Sequence, residues 1–317
     1  MIKFMKFPYA AFIILVGLII VSCKEFLEES IADRQMILLS PGREAQIANY
    51  SVDFIWEHME DALAYRLQVV GPDFRDVNLY YADTVVEDNH FTLSLAPGEY
   101  EWRVKGLNGS SESAYTTRSF IVYESDLSKQ IVLLNSPGDK HITAKPEINF
   151  NWQILYGSTA YRLQIDTNNF TGDSAMYDQL IETSNMSYTL PKEREYQWRV
   201  RAESDTSQSQ WSATRSLIYD ATSPAAPQPK APANNASVSS PVTIQWDPVA
   251  DAESYQLYVY KSDSTTLYSD VYPLSLTETS HSFSAGAVGE TLLWRIRAKD
   301  QAGNTSDYSP YRSFMIQ

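Results

Sequence analysis

Tyr100-Glu101-Trp102-Arg103-Val104-Lys105 returns as Tyr196-Gln197-Trp198-Arg199-Val200-Arg201, and again as Leu292-Leu293-Trp294-Arg295-Ile296-Arg297. The tryptophans step by a fixed interval (198 − 102 = 96 and 294 − 198 = 96). A period of this size marks three copies of one small domain in a row. Within each stretch apolar and charged residues alternate. A strand turns successive side chains to opposite faces, so Tyr100, Trp102 and Val104 share one face while Glu101, Arg103 and Lys105 share the other. A helix needs apolar spacings of three and four, and none of the three copies has them. The reading is a strand of an antiparallel sheet with one buried and one wet face.

Other landmarks keep the same step. Phe54-Ile55-Trp56 recurs as Phe150-Asn151-Trp152 and Ile244-Gln245-Trp246. Tyr65-Arg66-Leu67-Gln68-Val69 recurs as Tyr161-Arg162-Leu163-Gln164-Ile165 and Tyr255-Gln256-Leu257-Tyr258-Val259. Arg118-Ser119-Phe120 recurs as Arg215-Ser216-Leu217 and Arg312-Ser313-Phe314. Small changes of spacing between landmarks are what variable loops on a constant framework produce.

The order is a strand with Trp56, a strand opening on Tyr65, a Leu95-Ala96-Pro97-Gly98-Glu99-Tyr100 corner, and a late Tyr-x-Trp-Arg-Val strand. It resembles the fibronectin type III domain, and the resemblance covers nearly everything after residue 36. It implies an all-β chain of three tandem immunoglobulin-like β-sandwiches, each of about a hundred residues. It also implies that Trp56, Trp152 and Trp246 are core residues rather than ligand platforms. Copy 2 keeps the corner from Leu190 to Tyr196, one residue longer; copy 3 has Leu292 where the corner tyrosine belongs.

Residues 1–22 read as a signal peptide. Lys3 and Lys6 make a basic start, and the apolar run from Phe7 to Val21 is shorter than the roughly 20 residues a membrane-spanning helix needs. Ser22 precedes Cys23, the single cysteine of the chain. A small residue before a lone cysteine, behind an apolar run, resembles the bacterial lipoprotein cleavage site. The resemblance implies acylation at Cys23 and attachment to the membrane through it. Residues 23–35 then form an acidic tether beginning Lys24-Glu25-Phe26-Leu27-Glu28-Glu29, similar to signals that direct lipoproteins to the outer face of the outer membrane. With no second cysteine, no intramolecular disulfide is available. Stability is therefore expected from three ordinary cores.

The sandwiches are expected at residues 36–124, 129–220 and 226–317. The first junction is short and polar. The second holds four prolines between Ala221 and Pro232, a composition that favours an extended spacer and predicts a third domain held away from the second.

The net charge of −14 repels phosphate backbones and argues against nucleic acid as a partner. His58, His90, His141 and His281 do not fall at matching places, and no zinc-protease or serine-hydrolase motif is present. Asp166-Thr167-Asn168-Asn169-Phe170-Thr171-Gly172-Asp173 has a phenylalanine where a calcium loop needs an oxygen ligand, and reads as a hairpin turn. Neither a metal site nor a cofactor is expected, nor is enzymatic activity. Arg103, Arg199 and Arg295, present in every copy, read as framework. Trp211-Ser212-Ala213-Thr214-Arg215 resembles the Trp-Ser motifs of receptor domains in the same family.

One feature belongs to copy 3 alone. On the strand opening with Tyr255, the outward positions are Gln256, Tyr258 and Tyr260, where copy 1 has Arg66, Gln68 and Val70 and copy 2 has Arg162, Gln164 and Asp166. Tyr258 and Tyr260 are the candidate ligand contacts, with Tyr268 and Tyr272 extending the surface if that segment pairs alongside. The leading expectation is a non-enzymatic, membrane-anchored lipoprotein of the outer membrane that presents three sandwiches for protein binding, adhesion or scaffolding. The alternative is the carbohydrate-binding component of a glycan-capture system, so the partner is expected to be a protein or a glycan.

Overall fold

The computed structural model describes residues 29–172 and 174–317; the leader and Cys23 lie outside the described residues. Copy 1 comprises β1 (Leu38–Ser40), β2 (Ala45–Ile47), β3 (Ser51–Trp56), β4 (Ala64–Asp73), β5 (Asp76–Val86), β6 (His90–Ser94), β7 (Gly98–Leu107) and β8 (Thr116–Val122). Copy 2 comprises β9 (Leu134–Ser136), β10 (His141–Thr143), β11 (Glu147–Trp152), β12 (Ala160–Asp166), β13 (Tyr177–Ile181), β14 (Asn185–Thr189), β15 (Arg194–Glu203) and β16 (Arg215–Tyr219). Copy 3 comprises β17 (Pro229–Ala231), β18 (Ala236–Val238), β19 (Val242–Trp246), β20 (Ser254–Tyr260), β21 (Leu274–Leu276), β22 (Ser280–Phe283), β23 (Thr291–Lys299) and β24 (Arg312–Ile316).

Each copy packs a three-stranded sheet on a five-stranded one. In copy 1 the orders are β1-β3-β6 and β2-β8-β7-β4-β5, and copies 2 and 3 repeat both orders strand for strand. Every pairing between these named strands is antiparallel except that of the short second strand, which runs parallel to the last strand of its copy. Among the described residues the one helix is a 3-10 turn at Leu127–Lys129, and no helix is long and apolar enough to cross a membrane.

The expected alternation governs the interior. Trp102, Trp198 and Trp294 are fully buried, as are Trp56, Trp152 and Trp246 on the opposite sheet. The second set meets the tyrosine that opens the neighbouring strand, with ring centroids 5.5 Å apart in Trp56–Tyr65, 5.6 Å in Trp152–Tyr161 and 5.5 Å in Trp246–Tyr255. Each of those tyrosine hydroxyls accepts a backbone N–H six residues upstream, from Met59, Leu155 and Val249. A buried ring with its polar tip satisfied adds specificity to a core that is otherwise apolar. The tyrosine corner is present where expected: Tyr100 donates to the Ala96 carbonyl and Tyr196 to that of Lys192. Copy 3, with Leu292 there, closes the same bend through Glu290, whose carboxylate accepts the Ala287 N–H while its carbonyl accepts the Ile316 N–H.

The packed domains reach further into the flanking segments than the repeat suggests. Ile31 is fully buried in the core of copy 1, its N–H bonded to the Ser111 hydroxyl, so the packed domain begins before residue 36. Pro229 already belongs to β17, so part of the proline-rich stretch is sandwich rather than spacer.

Copies 1 and 2 share one continuous hydrophobic cluster, whereas copy 3 has its own. The polar-looking junction between the first two is sealed by Gln130, which is almost fully buried. Its side chain accepts the Tyr50 N–H at 2.8 Å and donates to the Ala48 carbonyl at 3.1 Å. Tyr50 in turn exchanges hydrogen bonds with the Ser125 backbone and packs its ring edge against Tyr156. Copy 3 is tied to the end of copy 2 by Asn304, whose amide donates to the carbonyls of Asp220 and Thr222. The separation of the third domain is thus a separation of cores, bridged by hydrogen bonds.

Replacing a buried aromatic by alanine costs about 3–5 kcal/mol, so Trp152→Ala should lower one calorimetric transition shared by copies 1 and 2. The transition of copy 3 should stay in place. Independent melting of copy 1 at its original temperature would show that the Gln130 junction does not couple the pair.

Candidate functional site

The outward face of the five-stranded sheet carries the arginines of the repeated stretch, and in every copy they lie among aromatic rings. In copy 1 the Arg103 guanidinium stands 3.9 Å from the Phe74 centroid and 4.2 Å from that of Tyr115. In copy 2 Arg199 stands 4.0 Å from Phe170 and 4.3 Å from Trp211. Such stacks contribute about 0.5–1 kcal/mol at exposed sites and more when desolvated. Each arginine is also held from the side. The Gln68 carbonyl oxygen accepts Arg103 Nε at 2.8 Å, and the Gln68 amide donates to Asp83. Gln164 does the same between Arg199 and Asp178. Asp83 takes two further bonds from Arg66. Those contacts, led by the Arg66 hydrogen bond, hold its carboxyl below the usual carboxylate range.

Below the stack, serines fasten the strand to the segment that follows. The Ser113, Ser209 and Ser306 hydroxyls accept the N–H groups of Gly106, Ala202 and Ala298. Ser212 and Ser309 do the same for Val200 and Ile296. Arg215 and Arg312 reach carbonyls at the first strand of their copies, those of Leu134 and Pro137 and of Lys230 and Pro232. These contacts make the repeated arginines part of the framework, and Trp211, Ser212 and Arg215 with them.

Copy 3 builds the same face from different chemistry. Tyr258 occupies the place of Gln68 and Gln164, so the arginine loses its amide clamp. Arg295 stands 3.8 Å from the Tyr308 centroid and 4.8 Å from that of Tyr311. Its Nη2 donates to the Tyr260 hydroxyl at 3.0 Å, while its buried Nε has no hydrogen-bond partner among the described residues. Tyr258 and Tyr260 lie parallel, 6.2 Å apart at 9°, with Tyr308 edge-on to the first and Tyr311 edge-on to the second. Tyr260 is consequently only 6% exposed. Tyr258 is half-buried, and burial, with the Tyr308 hydrogen bond second, pushes its hydroxyl up to about 12.

The structure therefore brings Tyr258 and Tyr260 together and leaves Tyr268 and Tyr272 elsewhere. The Tyr260–Leu267 bridge sets Tyr268 beside Val259, on the inner side of the sheet. There Tyr268 packs edge-on against Phe283, and Tyr272 is buried in the core cluster with its edge toward His281. Two residues of the face escaped the sequence reading, Tyr308 and Tyr311. The signal for Tyr308 was present, since Tyr115, Trp211 and Tyr308 keep the repeat spacing. The 166–172 stretch is a turn: Asn169 and Phe170 take positive φ, and Asp166 accepts the Phe170 N–H.

A chain of three β-sandwiches with fibronectin type III-like strand order is what this architecture defines, on its own strand pairings. No family model and no curated protein sequence matches the chain. Among solved structures it is similar to the FN1-FN3 domains of chicken CNTN1, at 15% identity and a TM-score of 0.42, over 87% of this chain and 97% of that one. It is also similar to the fibronectin(III)-like modules of Clostridium thermocellum CbhA, at 14% identity and a TM-score of 0.40, over 59% of this chain and 94% of that one.

The raised hydroxyl of Tyr258 has a consequence in alkali. An unfolded tyrosine loses its proton near pH 10, before the folded one does, so the contribution to stability is complete below pH 10 and is lost as the pH rises toward about 12. The melting temperature of copy 3 should fall across that window, and Tyr258→Phe should make the fall shallower. An unchanged slope in the variant would mean that Tyr258 ionises as freely in the folded chain as in the unfolded one.

Proposed function

We propose that this chain is a non-enzymatic, lipid-anchored protein of the outer membrane that binds a protein partner through its third sandwich. The observation that carries the reading is the contrast within one molecule. The framework is repeated three times with the same strand order and the same buried tryptophans, while the tyrosine cluster around Arg295 occurs once. A cluster of tyrosine and arginine has the composition of interface hot spots. Tyr260 is covered and Tyr258 is flanked by two further tyrosines, an arrangement that favours a protein contact over a flat platform for a sugar ring. Attachment rests on Cys23 and the apolar run before it; several buried acyl chains, at about 0.8 kcal/mol per methylene, make a firm anchor.

Two measurements test the two halves of the proposal. Cys23→Ser should move the protein from the membrane to the soluble fraction and abolish fatty-acid labelling. Equal membrane retention would point to an uncleaved anchor instead. Pull-down from native envelope should recover a partner with the full chain and lose it when residues 226–317 are deleted. Recovery by the truncated chain would assign binding to the first two sandwiches. Retention of a glycan panel with no protein partner would favour the carbohydrate reading.

A further inference from the structure

The outward faces of the three copies differ in charge pairing as well as in aromatic content. Copy 1 presents Arg66, Arg103 and Lys105, and pairs two of them, Arg66 with Asp83 and Lys105 with Glu112. Copy 2 presents Arg162, Arg199 and Arg201, matched by Asp178 on Arg162 and by Glu203, which accepts from both Arg162 and Arg201 at 2.8 Å. Copy 3 presents Arg295, Arg297 and Lys299 in a column along β23. None of the three forms an ion pair among the described residues. The position of Glu203 is taken by Lys299, which is exposed, so a cation stands where the sibling supplies its countercharge. Arg297 keeps one bond, from Nε to Gln256 Oε1 at 2.7 Å, and its terminal nitrogens have no acceptor among the described residues. The Tyr258 and Tyr308 rings, with centroids 5.7 and 5.1 Å from its guanidinium, hold it in place.

A guanidinium fixed by rings, flanked by an exposed ammonium and lacking a carboxylate, is prepared to receive one, because charge-assisted hydrogen bonds are about twice as strong as neutral ones. The rest of the chain makes this face distinctive. With a net charge of −14, the protein repels acidic partners over most of its surface and attracts them where cations are left unpaired.

We propose that Arg297 and Lys299 bind a carboxylate-bearing, acidic segment of a protein partner, with Tyr258 and Tyr308 forming the apolar side of the contact. The inference rests on the reading of copy 3 as the binding domain and adds the chemistry of its ligand.

Copy 2 supplies the test. Lys299→Glu installs in copy 3 the carboxylate that occupies Arg201 in copy 2, at a position where the fold already tolerates it. In NMR titrations of the mature chain, a capped hexaglutamate peptide should shift amides of residues 295–299, and capped hexaglutamine should not. Lys299→Glu should weaken the hexaglutamate interaction about tenfold or more, and Arg297→Gln should do so without adding a negative charge. Lys299→Glu should keep the melting temperature of copy 3, which separates lost binding from lost folding. Equal binding by Lys299→Glu, absence of any hexaglutamate shift, or shifts with a galacturonate trimer but not with hexaglutamate would each overturn the proposal. Loss of the envelope partner on deletion of residues 226–317, with no response to hexaglutamate, would remove only the ligand chemistry and leave copy 3 as the binding domain.

Discussion

A strand that carries tryptophan inward and arginine outward is the constraint on which the rest of each sandwich depends. Trp102, Trp198 and Trp294 fill the space between the sheets, and their partners on the opposite sheet are Trp56, Trp152 and Trp246. Burying such rings supplies a large share of the apolar burial of each core. It carries a cost, because the six indole N–H groups find no hydrogen-bond partner among the described residues, and an unmet buried donor costs about 1–3 kcal/mol. On the other face of the same strand, the arginine draws rings from distant loops over the sheet. That outward stack turns a half-wet sheet into a partly covered one, and it is where the copies diverge.

The divergence follows from single positions. Gln68 and Gln164 can accept from an arginine and donate to an aspartate, so copies 1 and 2 close their outer faces with chains of arginine, glutamine and acid. Tyr258 forms no such relay among the described residues. Its ring instead joins Tyr260, Tyr308 and Tyr311 around Arg295, and the acids disappear with the glutamine. One framework thereby gives two faces whose cations are largely paired and one whose β23 cations have no ion pair among the described residues. The coupling between domains shows the same economy: Gln130 and Tyr50 join the first two cores into one cluster, whereas the third keeps its own core and is bonded to the end of copy 2 through Asn304.

Much of the fold was legible because the informative residues lie close together in sequence. Alternation within Tyr100 to Lys105 needs only the geometry of a strand, and its threefold recurrence removes the ambiguity of a single short pattern. Burial of outward residues was not legible. Val70 and Tyr260 point away from the core and are nevertheless covered, and for Tyr260 the cover comes from Arg295 and Tyr311, far along the chain. Tyr268 and Tyr272 were misplaced for a related reason. Proximity in sequence does not fix pairing register, and a one-residue change of register exchanges the two faces. The buried junction at Gln130 was hidden by composition, since a polar segment reads as solvated until its amide is seen to be satisfied on both sides. The lack of an ion pair for the β23 cations of copy 3 among the described residues was written in Lys299, but its meaning required the pairing of Glu203 with Arg201 in copy 2.

The central claim is that shared positions make the framework while the altered face of copy 3 makes the contact. Tyr115, Trp211 and Tyr308 occupy the same place in the three stacks, which allows one comparison to decide it. A photo-crosslinking benzoylphenylalanine introduced singly at each position, in the full chain within native envelope, reads which stack touches a partner. The account predicts a discrete adduct from position 308 and none from 115 or 211; equal adducts from all three, or an adduct from 115 or 211 alone, would contradict it.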